Sequence, residues 1–211
     1  MMRRIDCAVL REEPMGESSQ TPKSLKAQIT RASLVLAAAA LLREEGPGAV
    51  TYRRVAKWAN AASSSVGYYF DSVTELLQEA GQHNIQMWAQ RAERAADAAE
   101  KLTPEECRKN CVDLLIKACL PEDSTVPAAH YAQLIAAAES PVVTQAYQKG
   151  RRALDAAVER ILQRADVPMS SRLVYAIVDG AAVAAISEGY DVHDTAANLL
   201  AEVVSDYTGR S

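Results

Sequence analysis

Aromatic residues are scarce in this chain: one phenylalanine, two tryptophans and eight tyrosines among 211 residues, or 5%. Strands are enriched in aromatic and β-branched side chains, so the scarcity argues against an all-β fold. Apolar residues still reach 49%, with alanine prominent, which suits closely packed helices. The short signatures of common enzymes are also absent. His83, His130 and His193 are scattered, with no HExxH, no GxSxG, no glycine-rich phosphate loop and no zinc spacing. An all-helical enzyme built from residues distant in the chain is the reading these absences disfavour, and no catalytic residue, metal or cofactor is assigned.

The four cysteines, at positions 7, 107, 111 and 119, form no CxxC pair. Cys107 and Cys111 fall four apart on one expected helix face. A metal or redox sensor is one use for such a grouping, and small apolar members of a helical core is the simpler one. Free cysteines and an opening MMRRIDCAVL too short and too charged for an export signal predict a reducing, cytoplasmic setting. No apolar run approaches membrane-spanning length; even residues 32–42 amount to eleven.

The formal charge is −4, which taken alone speaks against a nucleic-acid partner. Its distribution speaks the other way. Residues 23–80 hold seven Lys/Arg against five Asp/Glu, whereas residues 81–211 hold thirteen against eighteen. Between positions 51 and 70 there are three cations and no anion. A mildly basic end joined to an acidic body fits a DNA-reading unit on a larger helical domain.

That basic end contains TYRRVAKWANAASSSVGYYFDSVTELL, residues 51–77. Thr51 can cap a first short helix with Val55, Ala56 and Ala59 inward. Asn60 tolerates the positive φ that a tight turn demands. Ser63, Ser64 and Ser65 open a second helix anchored by Val66, where small hydroxyl residues can cap the helix and let its backbone approach a phosphate or base edge. Tyr68, Tyr69 and Phe70 close the unit, and Ser72 with Glu75 forms a capping box that starts a long helix. Two short helices about a tight turn are the arrangement that places a helix in a DNA major groove.

The stretch VAKWANAASSSVGYYFDSVTELL resembles the DNA-binding signature of the TetR family of bacterial transcriptional regulators. With the preceding helix it covers roughly a quarter of the chain, and the length and layout also match. The resemblance implies an all-α protein: an N-terminal helix-turn-helix three-helix domain at 23–71 and a helical ligand-binding and dimerisation domain at 72–211, after a flexible arm at 1–22. It implies a homodimeric repressor that leaves a palindromic double-stranded operator when a small-molecule effector binds. The residues carried over to DNA contact are Thr51, Arg53, Ser63, Ser64, Ser65, Tyr68 and Tyr69. Two positions depart from the pattern. Asn60 stands where glycine is usual, and Val73 stands where a phosphate-binding lysine is common, so that contact is lost or replaced by the Thr74 hydroxyl or the backbone at the helix start. Val73 keeps open an alternative: a helical ligand-binding or adaptor protein whose helix-turn-helix has lost DNA binding.

The rest of the chain reads as helix. A first helix at 24–45 carries Leu25, Ile29, Ala32, Leu36 and Ala40 along one face. Thr103-Pro104-Glu105-Glu106 opens another, which Pro121 stops. Helices at about 128–139 and 141–165 follow, then one opening at Ser170 or Ser171. Trp88, Cys111, His130, Tyr131, Leu134 and Tyr147 combine bulk with polar tips on expected inward faces, alongside Met87 and Leu115, and are the candidate effector contacts. Leu154, Ala157 and Ile161 on one helix, and Leu173, Ile177, Ala181 and Ala184 on the next, recur at three- and four-residue steps. They are the candidate dimer interface.

Overall fold

The computed structural model describes residues 24–122 and 127–209, so the arm expected at 1–22 lies outside the described residues. Among these residues the elements are ten α-helices and two short 3-10 turns, with no strand. The helices are α1 (Leu25–Glu45), α2 (Tyr52–Trp58), α3 (Ser63–Tyr69), α4 (Val73–Glu100), α5 (Pro104–Lys109), α6 (Cys111–Cys119), α7 (Pro127–Ala136), α8 (Pro141–Ala165), α9 (Ser171–Glu188) and α10 (Val192–Thr208).

Side-chain caps set most of the helix starts. Ser24, Thr51, Ser72, Thr103, Ser170 and Asp191 each accept a backbone N–H of the first turn, each worth roughly 1 kcal/mol. Thr103 and Glu106 complete a reciprocal capping box. At α4 the glutamate reaches one residue further back: Glu75 accepts from the Asp71 N–H at 2.8 Å, and Ser72 accepts from Glu75 at 3.1 Å. The serines at 63–65 do not cap; Ala62 precedes α3, and no side chain closes its start.

Two hydrophobic clusters organise the packing. The first joins Leu34, Leu41 and Leu42 of α1, Val55 of α2, Val66 of α3, Phe70, and Leu76 and Ala80 at the start of α4. The second is larger and runs from Ile85 along the rest of α4 through α5 to α10. Helix α4 therefore belongs to both cores, and α8 lies along most of it. Two glycines permit that approach: a Cβ at Gly150 would stand 2.5 Å from the Ile85 side chain, and one at Gly81 would stand 3.2 Å from Ala146. Across the α4–α8 seam Arg160 reaches Glu93, Asp97 and Glu100.

Three expectations need correction. Helix α1 buries Leu34, Ala37, Ala38, Leu41 and Leu42, whereas Leu25, Ile29 and Leu36 are exposed. The α1 sequence is apolar nearly all round, so periodicity could not choose its inward face. By length and composition α1 would also pass as a membrane span, yet its buried residues are core of the first cluster. Second, the helix expected from Thr103 to Pro121 is broken at Asn110 (φ −101, ψ 8), whose side chain donates to the Glu106 carbonyl at 2.8 Å. Such a local bond competes with helix continuation. Third, α10 was not anticipated, although Asp191 as cap and Ala196, Leu200 and Val204 at four-residue steps mark it.

The α2–α3 turn follows its expected chemistry. Asn60 has φ 49, and the Ala61 N–H closes onto the Ala56 carbonyl at 2.8 Å. Asn60→Gly should leave urea stability nearly unchanged. Asn60→Val should lower it by about 1–2 kcal/mol, since a β-branched residue resists the left-handed region. Equal stability of the two variants would contradict this account of the turn.

Candidate functional site

Thr51, Arg53, Ser63, Ser64, Tyr68 and Thr74 are all exposed, on α2, α3 and the start of α4. Ser65 and Tyr69 are half-buried. Tyr68 is 76% exposed and meets the Tyr69 ring edge-on at 5.0 Å, so it stands clear of the core. Val55, Ala56, Val66, Phe70 and Leu76 are buried beneath. The Tyr52 hydroxyl donates to the Phe70 carbonyl at 2.8 Å and ties α2 to the end of α3.

The arginine pair divides its labour. Arg54 is held by Glu45, while Arg53 is exposed and has no carboxylate partner among the described residues. Lys57, not among the candidate contacts, is likewise exposed and without a carboxylate partner among the described residues. Two uncompensated cations, small hydroxyls and an open tyrosine make a surface suited to a polyanion. Val73 is 36% exposed beside Thr74.

A cavity of about 300 Å³ opens in the larger core between α4, α6, α7, α8 and α9. Trp88, His130, Leu134 and Tyr147, four of the candidate effector contacts, are among its lining residues. Trp88 contacts His130 edge-to-face at 4.9 Å and Tyr147 at 5.1 Å. Tyr131 is not in the lining; it is 7% exposed, and its hydroxyl donates to Asp179 Oδ1 at 2.9 Å. Cys111 is also elsewhere, fully buried in the core. Burial pushes the Cys111 and Cys119 thiols up to about 12, which leaves them protonated and unreactive. Met87 is exposed and Leu115 is core.

Charged groups in the cavity wall were not foreseen. Arg91 donates to the Cys119 carbonyl at 2.7 Å, Arg151 lies over the Tyr175 ring at 3.8 Å, and Asp179 stands exposed in the wall. Their spacing in sequence carries no signal, because three different helices bring them together. Burial, aided by Arg91, lowers His130 to about 4, so its ring is neutral at neutral pH.

A polar chain leads from the cavity to α1. The Tyr147 hydroxyl donates to Gln133 at 3.3 Å, and the neighbouring Asn84 side chain favours its ionised form. Asn84, fully buried, donates to the Ala39 carbonyl at 3.2 Å and accepts from Arg43 at 2.6 Å.

The candidate dimer residues separate sharply. Leu154, Ala157, Ile161 and Ala181 are buried in the protomer's own core, where a partner cannot reach them. Leu173 and Ile177 are half-buried against the same core, and Ala184 is exposed. Helical spacing marks an apolar face but does not say what covers it. On α8 the cover is α4.

Two family models match: "Bacterial regulatory proteins, tetR family" over residues 34–80 and "Tetracyclin repressor-like, C-terminal domain" over residues 102–206. No curated protein matches the sequence. Solved structures share the fold. A TetR-family transcriptional regulator from Mesorhizobium loti MAFF303099 aligns with TM-score 0.58 at 13% identity, over 87% of this chain and 98% of its own. The transcriptional regulator FadR from Bacillus subtilis, solved with stearoyl-CoA, aligns with TM-score 0.57 at 16% identity, over 82% and 97%. With its helix-turn-helix under one family model and most of its helical body under the other, the chain belongs to the TetR family of bacterial transcriptional regulators.

Proposed function

We propose that the protein is a homodimeric repressor that holds a palindromic operator and releases it when a small molecule fills the cavity. The observation that carries this reading is the surface of α2 and α3, where no described carboxylate pairs with Arg53 or Lys57 around exposed Ser63, Ser64 and Tyr68. A cytoplasmic protein beside the chromosome would use that surface without catalysing a reaction. The stearoyl-CoA held by the Bacillus protein is not carried over. The cavity here, at about 300 Å³, is at the lower end of small-molecule sites, and stearoyl-CoA is far larger.

Release follows from the polar chain. A molecule between Trp88 and Tyr147 shifts the tyrosine hydroxyl, which donates to Gln133 and lies beside Asn84, and Asn84 holds α1 at Ala39 and Arg43. Shifting α1 resets the spacing of the two recognition helices, so the ligand selects a population that no longer matches successive grooves.

Pairing of subunits is assigned to α9 and α10. Gly180, Val183, Ala184, Leu199 and Tyr207 are exposed there, and their small and apolar side chains suit a four-helix contact. Sedimentation velocity should find a dimer, and Val183→Glu should dissociate it. Operator affinity should then fall by about a hundredfold, since two linked half-site contacts become one. A dimer unaffected by Val183→Glu would place the interface elsewhere.

DNA binding is tested by fluorescence anisotropy with the duplex upstream of the protein's gene and a scrambled control, each titrated over salt. The native duplex should bind far more tightly, with affinity falling steeply as salt rises. Arg53→Ala should weaken binding and flatten the log–log salt slope by about one, and Tyr68→Ala should weaken it without unfolding the protein. Exposed Val73 favours the alternative, an adaptor with a silent helix-turn-helix. Weak, equal binding to both duplexes is the outcome that supports it.

A further inference from the structure

The cavity wall carries more than the family likeness assigns. Its apolar side is made by Ile85, Leu134 and Leu154 with the rings of Trp88 and Tyr147. Flat aromatic faces and edges of this kind pack best against another ring. The polar side holds two guanidinium groups and one carboxylate. Asp179 already accepts the Tyr131 hydroxyl, and desolvation at the wall raises its carboxyl above the usual carboxylate range, toward the neutral form. Arg91 is half-buried and satisfied only by backbone carbonyls, those of Ala118 and Cys119; no described carboxylate pairs with it. Arg151 pairs through Nε with Asp155 at 3.0 Å and presents its guanidinium to the cavity across the Tyr175 ring.

The second observation is independent of charge. Tyr175 is 6% exposed and lines the cavity, and its hydroxyl has no hydrogen-bond partner among the described residues. A buried hydroxyl left unpaired is costly, and a ligand that accepts from it recovers that cost. Burial holds this phenol protonated, so it can only offer a proton to an acceptor or receive a donor. Beside two guanidinium groups, an acceptor is the fitting partner. A cationic ligand would meet Arg91 and Arg151 at close quarters, and the aromatic face it would need on Tyr175 is already taken by Arg151.

We propose that the cavity binds a small aromatic carboxylate, its ring packed against Trp88 and Tyr147 and its carboxylate met by Arg91, Arg151 and the Tyr175 hydroxyl. The proposal deepens the effector-release reading and rests on it only for the consequence at DNA. Binding itself is a property of the cavity.

The test is isothermal titration calorimetry on the full chain with three bicyclic probes of matched shape: 2-naphthoate, neutral 2-naphthamide and cationic 2-naphthamidine. Naphthoate should bind at least tenfold more tightly than either analogue. Tyr175→Phe should leave the thermal midpoint of the free protein unchanged or raised, because it deletes an unpaired hydroxyl, yet weaken naphthoate by roughly tenfold. Arg91→Gln should erase most of the preference for the anion, and its thermal midpoint reports whether the fold survives. Naphthamidine binding as tightly as naphthoate overturns the proposal, as does a Tyr175→Phe variant that binds naphthoate normally or a failure of naphthoate to saturate the protein. Operator binding measured on the same sample separates the two ideas. Salt-steep DNA binding without naphthoate binding sinks only the ligand class, whereas naphthoate binding without DNA preference sinks only the regulator reading.

Discussion

Everything else in this structure depends on α4 being one uninterrupted helix shared by two cores. Leu76 and Ala80 anchor its start among α1, α2 and α3, and from Ile85 onward it is the spine of the larger cluster. Because protein interiors are close-packed, a helix in two cores cannot shift in one without disturbing the other. The glycines at 81 and 150 let α8 press against it so closely that the seam has little slack. A cavity placed on α4, with Trp88 in its wall, is therefore mechanically close to the DNA-binding end although the sequences lie far apart.

The local chemistry of the helix-turn-helix was legible in the sequence because each of its signals acts over a few residues. Thr51 and Ser72 cap as their types dictate, and Asn60 takes the positive φ that the turn requires. The exposed Tyr68 and Arg53 follow once Val55, Val66 and Phe70 claim the inward positions. Misreadings arose where a pattern leaves its partner unspecified. Helix α1 is apolar on all sides, and the stripe Leu154–Ala157–Ile161 is equally suited to a neighbouring subunit or to α4. Half of the cavity was legible, through bulky residues with polar tips at 88, 130, 134 and 147. The other half was not, since Arg91, Arg151 and Asp179 look like ordinary solvated charges until three helices converge.

The same convergence explains why an acidic body can answer to an anion. Net charge governs long-range encounter, but within a low-dielectric wall the nearest unpaired group dominates. The body carries more carboxylates than cations, yet those along the α4–α8 seam are spent on Arg160, and Asp155 on Arg151. Arg91 is the guanidinium left facing carbonyls alone. At the other end of the molecule the logic repeats, with Arg54 neutralised by Glu45 while Arg53 stays open. In both places one arginine, with which no described carboxylate pairs, is left for a partner to meet, and in the cavity Arg151, paired with Asp155 only through Nε, keeps the rest of its guanidinium for the same partner. Asn84 lies between the two on α4, buried and bonded to Ala39 and Arg43 of α1, and on the proposed reading it is the link by which occupancy of one site reaches the other.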